Sequence, residues 1–138
     1  MTGPDAPQWA LLITAVILVV AGILMVVLAR RSRERRLPLN PIAGVRTTTT
    51  MASDAAWYAA QAAAAPRTEI AGWGTLVGGA AVGVAALLPL SESAGIPLYM
   101  VLVFGTVAWL LGWTLTGAAH GQRAARGAVE AGEGEAGG

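Results

Sequence analysis

Residues 9–29 (WALLITAVILVVAGILMVVLA), 70–90 (IAGWGTLVGGAAVGVAALLPL) and 96–118 (IPLYMVLVFGTVAWLLGWTLTGA) contain no Asp, Glu, Lys, Arg or His. Each run is about 20 residues long. At roughly 1.5 Å rise per residue a helix of that length covers about 30 Å, the thickness of a bilayer's hydrocarbon core. A soluble helix would show a polar stripe every three to four residues, and these runs show none. The expected fold class is therefore an all-α membrane protein with three transmembrane helices. The chain as a whole is 55% apolar and only 12% charged, about half the ordinary charged share.

A cleaved signal peptide is the other reading of the first run. It needs a basic n-region and a short apolar core. Here "MTGPDAPQ" has no Lys or Arg, and the positive charge follows the run as "RRSRERR". That is the pattern of an anchor whose N-terminus stays outside. The remaining charge agrees. Seven of the nine Arg (Arg30, Arg31, Arg33, Arg35, Arg36, Arg46 and Arg67) fall in the first connection, 30–69, and only Arg123 and Arg126 follow the third run. Positive-inside then places the tail 1–8 outside, the connection 30–69 in the cytoplasm, the turn "SESAGI" outside and the tail 119–138 in the cytoplasm. Trp9, Trp73, Tyr99 and Trp113 fall near the expected boundaries, where amphipathic rings prefer to sit. With no Cys, thiol catalysis and thiolate metal sites are excluded.

Within the spans, Gly74 and Gly78 are four apart, as are Gly79 and Gly83. Small residues at this spacing permit close backbone approach in lipid. The plainer reading makes the second helix the central one of a three-helix bundle; a dimer interface is the other. Ion and proton pathways usually need ionisable groups at depth, and the spans hold none. This argues against a pump, a proton-coupled transporter or an intramembrane hydrolase, so no enzyme, cofactor or metal site is expected. Thr14, Thr75, Thr106, Thr114 and Thr116 offer hydroxyls, which in such helices usually bond back to their own backbone. The single His120, just past the third run, reads as a headgroup contact.

The connection holds the unusual chemistry. "RRSRERR" could be a nucleic-acid footprint. At a helix end on the cytoplasmic side, it is explained by topology and by anionic lipid at Arg30, Arg31, Arg33, Arg35 and Arg36, with no nucleic acid required. In "LPLNPIAGVRTTTT", Pro38 and Pro41 forbid a continuing helix, Gly44 permits a tight bend, and four β-branched Thr disfavour helix. Arg46 stands alone in this apolar and hydroxyl setting. A guanidinium there wants planar acceptors: a lipid phosphate, helix C-terminal carbonyls, or a carboxylate such as Asp54 or Glu69. "SDAAWYAAQAAAAP" then reads as a short interfacial helix between helices 1 and 2. Ser53 would be its N-cap, Asp54 would sit in its first turn, and Pro66 would end it. Its Trp57 and Tyr58 would lie against lipid or the bundle, with Gln61 one turn after Trp57.

The order N-P-I-A-G-V-R-T…T-M-A-S-D-A-A-W resembles the signature of the SdpI family of small bacterial multi-pass membrane proteins. The matching positions are Asn40, Gly44, Val45, Arg46, Thr47, Thr50, Ser53 and Trp57. The resemblance covers roughly residues 10–118 and is sharp over 38–73. Many members carry a His soon after the Trp; this chain has "AAQAAAAP" there, with Gln61 the nearest polar residue. The chain is similar to a short, three-helix form. What the resemblance implies is a plasma-membrane protein giving immunity to a peptide toxin, or signalling by holding a cytoplasmic regulator at the membrane. Asn40, Gly44, Arg46, Thr47, Thr50 and Trp57 would be its binding residues.

Two other readings stand beside this. In one, the chain is an accessory subunit of a transporter or respiratory complex, its Gly-rich second helix packed on a foreign helix. In the other, Asn40, Arg46 and Trp57 only cap helix ends and fix the loop. A second copy of the chain is a further allowed partner. The tail 119–138, rich in Gly, Ala and Glu, is expected to be disordered, with a weak continuation of the third helix over 118–130 as the alternative.

Overall fold

A computed structural model describes residues 6–138. Of the outer tail expected over 1–8, residues 1–5 lie outside the described part and residues 6–8 already belong to the first helix. The described residues form three helices and no strand: α1 (Ala6–Arg33), α2 (Asp54–Leu87) and α3 (Glu92–Ala136). All three are long and apolar enough to cross a membrane. α2 lies between α1 and α3 and packs on both.

Glycine lets α2 hold both neighbours. A Cβ added at Gly72 would stand 2.8 Å from the Val26 nitrogen, and one at Gly22 would stand 2.6 Å from the Leu76 nitrogen, so the α1–α2 crossing is backbone on backbone. Gly79 meets Leu18 and Val19 in the same way. Gly74 and Gly78 face α3, where Trp109 and Thr106 fill the space a side chain would need. Lipid supplies no hydrophobic force between helices, so this closeness is what packs them. At the far end, Gln8 Nε2 donates to the Ala86 carbonyl at 3.1 Å and the Tyr99 hydroxyl donates to the Ala85 carbonyl at 3.0 Å. The two flanking helices thus reach carbonyls in the last turn of α2, where intrahelical donors run out; Ala85 also accepts the Leu88 N–H at 3.2 Å.

α1 ends as a Schellman motif. Arg36 N–H donates to the Arg31 carbonyl at 2.9 Å, Arg35 N–H donates to Ser32 at 3.4 Å, and Arg35 is left-handed at φ 54°. The helix has therefore stopped before Pro38 is reached.

Two expectations need correction. The separate short interfacial helix does not form: Pro66 lies inside α2, which runs unbroken from Asp54 to Leu87. The start is as expected, with Ser53 Oγ accepting the Ala56 N–H at 3.1 Å. Proline inside a helix costs about 3 kcal/mol. Here the turns on both sides are held by packing. Ala56, Ala60, Ala64, Ala65 and Ala71 are all 2% exposed or less. That packing also explains the second correction. α3 continues to Ala136 instead of becoming disordered after 118. Its Gly117, Gly121 and Ala125 are buried, Gly121 lying against the Ala60 carbonyl and Gly117 near the Ala64 carbonyl. Ala128 and Val129 close over the Ala56–Ala60–Ala125 cluster. The two helices extend past their apolar runs as one ladder of small residues.

Candidate functional site

The connection between α1 and α2 is irregular in backbone but closely tied down. Asn40 organises its first bend. Its Oδ1 accepts the Ile42 and Ala43 N–H groups at 2.9 and 2.8 Å, and its Nδ2 donates to the Pro38 carbonyl at 2.8 Å. This is the Asx geometry for which Asn is favoured in turns. Gly44 follows at φ 105°, where an L side chain is strained.

Two residues one turn apart on α2 receive the loop. Trp57 is fully buried, and its indole Nε1 donates to the Leu37 carbonyl at 2.8 Å. Gln61, 2% exposed, pairs with Val45 through both ends of its amide. Its Oε1 accepts the Val45 N–H at 3.0 Å and its Nε2 donates to the Val45 carbonyl at 3.0 Å. A Cβ on Gly44 would stand 2.6 Å from that Oε1, so the glycine serves the turn and the clasp together. Thr50, fully buried, donates to the second lone pair of the Val45 carbonyl at 2.9 Å and accepts the Thr47 N–H at 2.8 Å. The Thr47 hydroxyl donates to Gln122 Oε1, which ties the loop to the extended part of α3.

Of the residues expected to bind a ligand, the structure therefore gathers Asn40, Gly44, Thr47, Thr50 and Trp57 into the internal bonding of the loop. Arg46 is the exception. It is exposed and makes no ion pair with any described residue. Of its two candidate carboxylates, Glu69 is instead 2.6 Å from Arg33 and 3.7 Å from Arg30, and Asp54 forms no ion pair with it. Arg36 pairs with Glu34 at 3.3 Å. Three of the five arginines assigned to lipid thus have carboxylate partners within the chain. These pairs are solvent-exposed on the arginine side, and such pairs contribute on the order of 1 kcal/mol or less.

In the sequence Gln61 stands out only as the polar residue nearest a missing His. Its spacing of four from Trp57 is the available signal, since that spacing puts both on the helix face that receives the loop. Trp57 itself is buried and bonded to the loop at Leu37, where lipid or the bundle was expected.

Behind the loop lies a cavity of about 350 Å³, walled by all three helices and by the Gly44–Thr47 stretch. Thr114 lines it. Thr14, Thr75, Thr106 and Thr116 bond back to their own helix, as expected. Thr114 differs, for its Oγ1 is buried with no hydrogen-bond partner. A larger cavity of about 430 Å³ lies at the opposite end, around Gln8, the turn after α2, and Tyr99. His120 is occupied by the Thr116 carbonyl at 2.8 Å. Among the described residues no group of three His, Asp or Glu side chains is placed to hold a metal ion.

A model of the SdpI/YfhL protein family matches residues 36–116, which takes in the loop, α2 and the apolar part of α3. No curated protein and no solved structure matches the chain.

Proposed function

The chain belongs to the SdpI/YfhL family of membrane proteins, and from that premise we propose that it is a non-enzymatic immunity or signalling protein whose first connection is its working surface. The observation that carries this reading is the contrast within the loop. Asn40, Thr47, Thr50, Trp57 and Gln61 are used to fold it, whereas Arg46, set among them, keeps its charge and donors unspent. A plain linker between two spans needs no such fold. Rigid presentation of one guanidinium suits recognition of a carboxylate or phosphate on a partner.

In this proposal the loop faces the cytoplasm, following the Arg asymmetry. The partner is a cytoplasmic regulator, or a peptide toxin that reaches the protein from the membrane. The accessory-subunit alternative is weaker. It needs the Gly-rich face of α2 for a foreign helix, but Gly72, Gly79 and Gly83 lie against α1, and Gly74 and Gly78 against α3.

Function is tested by Arg46→Ala against Arg35→Ala, scored as protection from toxin or as release of a reporter gene at matched expression. Loss with the first and retention with the second is expected. Protection that survives Arg46→Ala would reduce the loop to scaffolding. Topology is tested separately. The chain has no Cys, so single cysteines at Thr48 and Ser93 give clean labelling sites. A membrane-impermeant maleimide on intact cells should label Ser93→Cys and spare Thr48→Cys.

A further inference from the structure

The cavity behind the loop combines three features that no other part of the molecule brings together. Its wall straddles the end of the apolar spans. Met25, Leu28, Thr114 and Ala118 come from inside the charge-free runs, whereas Ser32 and Arg46 come from beyond them. At about 350 Å³ it falls at the small end of the range for ligand pockets. It also holds unspent hydrogen-bonding capacity at both levels. Arg46, at the polar level, has no ion-pair partner among the described residues. Thr114, at the apolar level, has a buried hydroxyl without a partner, where a threonine on a helix ordinarily bonds back. A buried polar atom left unpaired costs about 1–3 kcal/mol. A threonine χ1 has two accessible wells in a helix, so the hydroxyl can be turned to an occupant.

We infer that this cavity is a binding site for a phosphate-headed amphiphile, an anionic phospholipid drawn from the leaflet on the loop side. The phosphate sits against Arg46, which offers planar, charge-assisted donors. The first part of the chain lies along Met25 and Leu28, and Thr114 bonds an ester or glycerol oxygen between them. A phospholipid suits the site better than a soluble anion, because the wall below Arg46 is apolar and would gain nothing from a bare phosphate. It suits the site better than a peptide terminus, because the cavity is small and most of its wall comes from the three apolar helices. The proposal deepens the reading above, taking from it that Arg46 is the recognition group, and supplies what Arg46 recognises.

The test uses the full chain purified in dodecyl maltoside, with thermal unfolding followed against added dodecyl phosphate, dodecylphosphocholine or inorganic phosphate. Dodecyl phosphate should raise the midpoint saturably, and inorganic phosphate at the same concentration should not. Arg46→Gln should weaken the effect roughly ten-fold or more, as expected for a hydrogen bond to a charged group. Thr114→Val should weaken it several-fold while leaving the unliganded protein as stable or more stable. Arg126→Gln, also exposed and outside the cavity wall, should change nothing. Native mass spectrometry from nanodiscs should retain one phosphatidylglycerol on the parent chain and none on Arg46→Gln.

Equal weakening by Arg126→Gln would mean general charge attraction and overturn the site. Inorganic phosphate binding as well as dodecyl phosphate would overturn the lipid. Loss of protection in Arg46→Gln with dodecyl phosphate binding intact would also overturn the site and leave the docking function standing. Lipid lost with protection kept would support the site and remove the docking role of Arg46.

Discussion

Gly44 offers the sharpest test of how the loop is held. Its φ of 105° is poorly suited to any residue with a Cβ, and that alone costs about 1–3 kcal/mol on substitution. The added methyl of Gly44→Ala would also stand 2.6 Å from Gln61 Oε1 and 2.9 Å from its Cδ. Gln61 cannot yield without breaking both of its 3.0 Å bonds to Val45, each worth about 1 kcal/mol net. Together these effects come to about 3–5 kcal/mol, directed at the loop and not at the bundle. Hydrogen exchange of peptides covering 41–50 should therefore accelerate on the order of a hundred-fold or more, while peptides within the spans hold their protection. The mechanism also predicts a coupling. Gln61→Ala removes the obstacle, so Gly44→Ala added to it should cost only the backbone strain, about 2 kcal/mol less than it costs alone. Strict additivity, or an unchanged exchange rate in the single variant, would refute this account of the clasp.

Three further outcomes follow from the packing. Trp57→Phe keeps most of the buried ring but leaves the Leu37 carbonyl without its donor; a loss of about 1–2 kcal/mol is expected by detergent-denaturation midpoints, against about 3–5 for Trp57→Ala. Gly72→Leu drives a side chain into the backbone of α1 at Val26, so the folded fraction in mild detergent should collapse, while Gly105→Ala, with nothing within 4 Å, should be silent in the same gel-filtration assay. Glu69→Gln frees Arg30 and Arg33 but should shift the melting temperature only slightly, because the arginines are exposed and such pairs are weak; a drop equivalent to more than about 2 kcal/mol would show the pair to be a structural clamp.

The spans were legible because a run of about 20 residues without charge or polar stripe has little use outside a bilayer. The central place of α2 was legible from its glycines, and the helix start from Ser53, because small-residue spacing and capping are local rules with one physical outcome each. What lay hidden was tertiary. Pro66 looks like a terminator because its own bond is lost, and only the burial of Ala60, Ala64 and Ala71 reveals why the helix survives it. The end of α3 looked disordered from its Gly, Ala and Glu content. The four-residue spacing of Gly117, Gly121 and Ala125 matched that of Ala56, Ala60 and Ala64, and neither series means anything until the two are set side by side. In the loop, Arg46 stood out in the sequence with Asp54 and Glu69 as candidate carboxylates, but Glu69 lies against Arg33 at the end of α1, a pairing that only the packing of α1 on α2 reveals.

The ladder of alanines and glycines joining the two extended helices sets a tolerance. Large side chains can yield by changing rotamer; a methyl resting on a carbonyl oxygen has nowhere to turn. A single extra carbon at Gly121 would act as a wedge, and because the next residue, Gln122, carries the Thr47 hydroxyl, the displacement would arrive at the loop almost undiminished. Distance between two rods is thereby converted into the pose of a surface several residues away, with no moving part in between.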